Sequence, residues 1–336
     1  PNACNQCHQD KDADWSDGHV KKWYGKSSAG YQSFAETIDA ARSDKARAGE
    51  LLEKQISSLA TPDIARATAM TLLPAYLDQS NIDLLQQGLK DDSDLVRHAS
   101  LTALYGLPPA LVVQLAFPLL DDPVRSVRSE AARVLAPVKP GQLNDEQSDI
   151  FNSAVQEYID SQLVNADRPE AQLNLGNYYS ASGKLDKAGS AYERAIKLDE
   201  TFTPAYINLA DLYRVAEKDD DAKSVLQSAI KIAPEDAAVN YALGLLMVRQ
   251  QQIEKSIRYL KRAAGFDTSN ARYVYVYAVA LNSAGQGDLA IDVLQDANNR
   301  FPRDTDILDA LISFHRDAGN DFAARTYMNK LEKLRY

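Results

Sequence analysis

The sequence predicts an all-α fold, an α-solenoid of stacked helix pairs that follows a short cysteine-bearing segment. Three observations predict it. A unit of 31 residues recurs between Ala48 and Pro140, a unit of 34 residues recurs from Pro169 to Tyr336, and both cysteines fall within the first seven positions. Length agrees with an array, because 336 residues exceed what one compact core usually holds. With 15 Gly and 13 Pro the chain is neither low-complexity nor collagen-like. Acidic residues number 47 against 37 basic ones, for a net charge of −10. That balance argues against nucleic acid as a partner, since phosphate binding needs Lys and Arg massed on one face. The sequence has no apolar run long enough to span a membrane. It begins at Pro1-Asn2-Ala3-Cys4 without a basic and apolar leader, and so reads as a mature or truncated chain whose start says nothing about compartment.

The N-terminal element is Cys4-Asn5-Gln6-Cys7-His8. This spacing is that of c-type haem attachment. Two residues between the thiols set the sulfurs about a turn apart, so that each can add to one haem vinyl group. The adjacent His8 then offers its imidazole to the iron as proximal ligand, and axial ligation with the local dielectric sets the potential. Three other readings compete. A Cys4–Cys7 disulfide closes too small a loop to stabilise much. A thioredoxin-like pair needs a βαβ pattern, which is absent. A zinc site could draw on Cys4, Cys7, His8 and His19, but finger spacing places roughly a dozen residues before a His pair.

The words around the motif extend it. Asn2 through His8, Asp10-Lys11, Asp14-Trp15 and Val20-Lys21-Lys22-Trp23-Tyr24-Gly25 resemble the last haem-binding segment of bacterial multihaem cytochromes c. The resemblance implies helical repeats downstream, further haem motifs upstream of Pro1, and periplasmic or other extracytoplasmic placement. It also implies that a redox partner protein, or other haem domains of the same full-length chain, exchange electrons with this segment. Small residues are commoner in the family at the place of His19, so no role is carried over to it. His19 is nonetheless a candidate sixth ligand, because Asp14 through Tyr24 reads as a helix with Trp15, His19 and Trp23 on one face. His98 and His315 lie inside repeat helices and read as ordinary helix residues.

The 31-residue array comes next. Ala65-Arg66, Val96-Arg97 and Val127-Arg128 stand in register, as do Leu73, Leu104 and Leu135. Asp91-Asp92 and Asp121-Asp122 precede the second and third units, and Thr61-Pro62-Asp63 precedes the first. An acidic turn before a helix that opens with an apolar residue and Arg resembles the HEAT-type repeat. Its carboxylates can cap helix N-termini, and the Arg of one unit can pair with a neighbour's turn acid.

After Ala136-Pro137-Val138-Lys139-Pro140-Gly141 the period becomes 34. Leu175, Leu209, Leu243, Tyr277 and Leu311 align, followed by Gly176, Ala210, Gly244, Ala278 and the departing Ile312. Ala188, Ala222, Ser256, Ala290 and Ala324 align on the second helices, as do Ala195, Ala229, Ala263 and Ala297. Small residues where helices touch, with large ones around them, resemble the tetratricopeptide repeat. Five units run from Pro169, and Ala154 with Tyr158 fall on the second helix of a degenerate sixth. The predicted organisation is therefore 1–30 haem segment, 31–140 HEAT-like repeats and 141–336 tetratricopeptide repeats. One stretch, Tyr273-Val274-Tyr275-Val276-Tyr277-Ala278, alternates as a strand would. The repeat register runs through it without a slip, so it is predicted as helix.

Tetratricopeptide arrays bind partners on a concave face lined by first helices. In this register its middle carries Tyr241, Leu245, Val248, Tyr275 and Val279, and its ends carry Asn177, Arg214, Arg272, Asn282 and Arg316. Repeats that grip the acidic tails of heat-shock chaperones use Lys or Arg where this chain has Leu173, Ile207, Tyr241 and Tyr275, so that carboxylate clamp is absent. The stripe suits an amphipathic helix or an extended peptide with aromatic anchors. The competing reading is that these side chains pack on adjacent repeats. The sequence shows no nucleophile constellation, phosphate loop or His-Glu metal pair, so any catalysis would need the haem iron or a region upstream. The expected function is that of a c-type cytochrome fragment for electron transfer with a docking solenoid. The alternatives are a pure interaction scaffold with an empty Cys-x-x-Cys-His motif, and the non-catalytic part of a multihaem reductase.

Overall fold

The structure is a computed structural model that describes residues 3–25, 33–43, 47–77 and 81–334. Pro1, Asn2 and the terminal Tyr336, all used in the sequence reading, lie outside the described residues. The fold is all-α, with no strand among the described residues. Two compact units divide it, Pro1–Pro108 and Pro109–Tyr336.

The first unit contains α1 (Ala3–Cys7), α2 (Ala13–Tyr24), α3 (Ser33–Arg42), α4 (Ala48–Ser57), α5 (Asp63–Leu72), α6 (Ile82–Gly88) and α7 (Asp94–Thr102). Its core is the predicted 31-residue register. Ala65, Leu73, Val96 and Leu104 are all buried, together with Leu52, Met70, Leu85 and Leu101. The predicted Arg-to-turn pairing is also present. Arg66, buried on α5, donates from Nη2 to Asp63 (2.8 Å) and to Asp91 (3.0 Å), and from Nη1 to Asp91 (2.5 Å). Asp91 in turn accepts from the Ser93 backbone N–H and shapes the entry to α7.

The second unit opens with α8 (Pro109–Ala116), α9 (Arg125–Val134) and the long α10 (Asp145–Leu163). Asn144 and Gln147 cap α10 reciprocally in a capping box. Five helix pairs follow: α11 (Pro169–Ala181) with α12 (Leu185–Leu198), α13 (Thr203–Val215) with α14 (Asp219–Ile232), α15 (Ala237–Arg249) with α16 (Ile253–Phe266), α17 (Ala271–Ser283) with α18 (Gly287–Arg300), and α19 (Thr305–Asp317) with α20 (Asp321–Leu334). Each helix packs on the next in chain order, which is the solenoid arrangement. The stretch from Tyr273 to Ala278 lies inside α17, because burial of Val274, Tyr277 and Ala278 against neighbouring pairs outweighs strand propensity.

The division between units falls at Pro108–Pro109, and not at the Pro-rich break near 140. The third 31-residue repeat thus belongs with the 34-residue array. Its helix α9 buries Val127, Ala131 and Ala132, packs on α10, and Arg128 holds Glu157 of α10 through two 2.7 Å hydrogen bonds. Tyr158 and Ala154 of α10 are buried.

Two features fix the spacing of the pairs. At Gly176 and Gly244 a Cβ would come within 2.3 Å of the Tyr192 ring and 2.6 Å of Leu260, so only glycine admits the facing second helix this closely. The turn inside each pair uses a left-handed residue every 34 positions, namely Gly183, Glu217, Gln251, Gly285 and Gly319, with φ between 58° and 76°. Glycine is suited to that conformation, whereas Glu217 and Gln251 adopt it under constraint from the pairs they join.

Candidate functional site

The first helices α11, α13, α15, α17 and α19 present the predicted stripe. Tyr241, Leu245, Tyr275 and Val279 are half-buried, and Val248 is exposed. Residues three or four apart share a helix side, so Tyr241, Leu245 and Val248 line one face of α15, and Tyr275 and Val279 one face of α17. The stripe is not purely apolar. The Tyr241 ring lies 4.8 Å from Tyr273, and the Arg272 guanidinium stands over the Tyr275 ring at 5.3 Å. A hydrogen bond with Tyr241 holds the Arg272 pKa above its ordinary value, and Arg272 also reaches Asp306 of α19 at 3.5 Å. Arg272 therefore links three consecutive first helices through one exposed side chain.

The two anchors serve the fold as well as the surface. Tyr241 and Tyr275 pack in part against the buried cluster around Leu260, Tyr277 and Leu281. Each of the two side chains is therefore partly in the core and partly open to the surface. Tyr273 was not anticipated as part of it. The signal for it was its place in the first turn of α17, across from Tyr241. Among the predicted polar flanks, Asn177 accepts from the Tyr192 hydroxyl at 2.9 Å and from Asn208 at 2.7 Å. Arg214 pairs with Asp211 at 2.6 Å, and Arg316 lies against the Met328 sulfur at 3.0 Å. Asn282 is half-buried near Gly287. Leu173 and Ile207, at the positions of the missing carboxylate clamp, are half-buried against apolar clusters.

The second candidate is the N-terminal segment. Cys4 is half-buried and Cys7 exposed, three residues apart on α1, and their thiols are not joined. His8 follows immediately, with its backbone N–H bonded to the Cys4 carbonyl at 2.9 Å. Asn5, between the cysteines, fastens α1 to the entry of α2. Its Nδ2 donates to the Lys11 carbonyl at 2.7 Å and the Asp12 carbonyl at 3.2 Å, and its Oδ1 accepts from Ser16 at 3.0 Å. The Asp12 side chain caps α2 through the Trp15 N–H. The predicted aromatic face is then continuous. The His8 ring is 4.8 Å from Trp15, Trp15 is 4.2 Å from His19, and His19 is 5.8 Å from Trp23. His19 donates from Nδ1 to the Trp15 carbonyl at 2.9 Å, which leaves Nε2 as its available nitrogen. Among the described residues no three His, Cys, Asp or Glu side chains converge as a metal cluster. Trp15 lies between His8 and His19, in ring contact with both. Of the other two histidines, His315 is buried and stacks on Tyr327, and His98 is half-buried inside α7.

Two tetratricopeptide repeat family models match the chain, at residues 179–246 and 241–304. The repeats over that range are tetratricopeptide repeats. Among solved structures the chain is similar to MamA, at 20% identity and a TM-score of 0.43, over 49% of this chain and 91% of that one. It is similar to YrrB, described as a TPR protein with an unusual peptide-binding site, at 21% identity and a TM-score of 0.41, over 52% and 90%. It is also similar to pilF of Pseudomonas aeruginosa, at 15% identity and a TM-score of 0.45, over 52% and 77%. No curated protein matches the chain.

Proposed function

We propose that this chain is a helical-repeat docking scaffold that takes a peptide or helix on its first-helix face. The observation that carries this reading is the surface-opening row Tyr241, Leu245, Tyr275 and Val279, bracketed by Arg272, on consecutive tetratricopeptide pairs. Half-buried aromatic rings lose little freedom on binding and supply large contact area, which is the usual make-up of an anchor. Tyr241→Ala with Tyr275→Ala should weaken binding of a selected peptide ligand by about a hundredfold, at about 2 kcal/mol or less for each ring. Both rings also touch the core, so the melting curve of the double variant is measured alongside. Unchanged affinity in a folded variant would remove the groove from the docking surface.

A specific arrangement supports a second role in the same chain. Cys4 and Cys7 are one turn apart with unjoined thiols, and His8 is exposed beside them on a segment pinned by Asn5. Those residues fit covalent haem c, with Cys4 and Cys7 as the thioether donors and His8 as the proximal ligand. When bound, the group would supply one-electron transfer. Trp15, His19 and Trp23 offer an aromatic wall next to it, and His19 Nε2 is a candidate for the sixth position. This reading carries periplasmic placement and a redox partner, or further haem domains of a longer chain, with it. Protein produced with a cytochrome c maturation system should show a reduced α-band that survives acid–acetone extraction. Cys4→Ser with Cys7→Ser should abolish it without loss of far-UV helicity, because neither cysteine contributes to the repeat cores. Colourless wild-type protein from that system would leave the scaffold role alone. His19→Ala should turn a low-spin ferric spectrum high-spin if His19 is the sixth ligand.

A further inference from the structure

The second-helix side of the same unit carries a cleft that the groove reading does not use. It lies between α14 and α16, is floored by Leu243 and Met247 of α15, and encloses about 830 Å³. Its walls hold Lys223 on α14 and Lys255, Arg258, Lys261 and Arg262 on α16, with Tyr259 and the exposed Phe266 at the apolar edge. No acidic side chain lines it. Among the described residues none of the five cations is held in an ion pair, and Lys255 donates only to the Gln252 amide oxygen at 2.7 Å. Glu254 is the sole acid of α16 and sits outside the lining. The neighbouring cleft is built differently, because Lys261 and Arg300 face Asp292 and Asp296 there, and Arg300 pairs with Asp296 at 3.1 Å. A chain with a net charge of −10 has thus gathered five cations around one apolar floor, none of them in an ion pair among the described residues and one of them, Lys261, shared with the carboxylates of the neighbouring cleft.

We infer that this cleft docks an acidic peptide segment of a partner protein, with one apolar side chain seated against Tyr259 and the exposed Phe266. Charge complementarity selects the occupant. Carboxylates on an extended backbone would meet Arg258 and Arg262 in forked hydrogen bonds and the three lysines as point charges. The apolar edge of Tyr259 and Phe266 selects a peptide over a bare anion, since phosphate leaves that surface unused. The concavity selects a chain over a membrane, which would call for a flat or protruding patch.

The test uses the full chain and a fluorescently labelled glutamate-rich peptide with one central leucine, followed by anisotropy. Binding should weaken as salt is added, and by about tenfold in Arg258→Glu with Arg262→Glu, because both guanidinium groups are exposed and act through charge. Replacing the leucine of the probe by serine should also weaken binding. Tyr241→Ala with Tyr275→Ala should leave this binding in place, which separates the cleft from the groove. If the charge-reversed chain loses helicity, Arg258→Gln with Arg262→Gln takes its place with the same expectation. Equal affinity in the folded variant, or equal affinity for the serine probe, would overturn the proposal. So would binding to vesicles containing phosphatidylglycerol with none to the peptide.

Discussion

Leu260→Ala is expected to lower the stability of the Pro109–Tyr336 unit by about 4 kcal/mol, the largest effect of any single truncation proposed. Leu260 has no exposed surface and belongs to the cluster of Val274, Tyr277, Ala278, Leu281 and Leu294. Its Cγ and Cδ2 also stand 2.6 Å from where a Cβ on Gly244 would be, so it fills the notch that glycine leaves between α15 and α16. Removing three carbons therefore opens a cavity whose walls are other buried side chains and a helix backbone, which cannot collapse far. Urea unfolding followed at 222 nm measures it. The companion substitution Gly244→Ala should destabilise the wild type but cost much less in the Leu260→Ala background, because the new methyl enters the vacated space. Additive effects of the two would show that the residues do not share one contact.

In the first unit, Arg66→Ala is expected to cost about 3 kcal/mol. Arg66 and Asp91 have side chains only 6% and 15% exposed, and Asp91 would be left in a poorly hydrated turn without its counter-ion. Burial raises the Asp91 pKa, but hydrogen bonds from Arg66 and from the Ser93 N–H outweigh it and hold the carboxyl below the ordinary value of 3.8. A folded state that is the stronger acid is favoured above the unfolded aspartate pKa. Its advantage is lost as pH falls below 3.8 through the lower folded value. Wild-type stability should therefore drop in that acid window. Arg66→Ala should lack this drop, since burial without the guanidinium favours protonated Asp91. Adding Asp91→Asn to Arg66→Ala should recover part of the loss. Parallel pH profiles for wild type and Arg66→Ala would show that the pair contributes no linkage.

The site was partly legible in the sequence, and the limits have a common origin. The Cys-x-x-Cys-His spacing, the aromatic face of α2 and the row from Tyr241 to Val279 all follow from residues near one another in the chain or one repeat apart. The link from Arg272 to both tyrosines and to Asp306 was not legible, because it needs the lateral offset of three helices and the rotamer of one long side chain. The cleft above Leu243 and Met247 escaped for the same reason. Lys255, Arg258 and Arg262 share a face of α16 by helical spacing, but only the distance to α14 makes that face a wall.

What the sequence determined by itself is the periodic part of the structure. Periods of 31 and 34 name the core positions, Leu73 and Leu104 in one array and Leu175, Leu209 and Leu243 in the other, because every repeat must bury the same face against its neighbour. They also overrule the strand-like alternation of Tyr273 to Ala278, since an isolated strand would leave its backbone without partners. What only the tertiary structure decided is where the periods stop acting alone. Arg128 reaching Glu157 joins the last 31-residue repeat to the 34-residue array, so the compact units part at Pro108–Pro109 while the repeat length changes near Pro140. A compact unit ends where packing ceases, and packing depends on the approach of whole helices that a periodic string of residues does not encode.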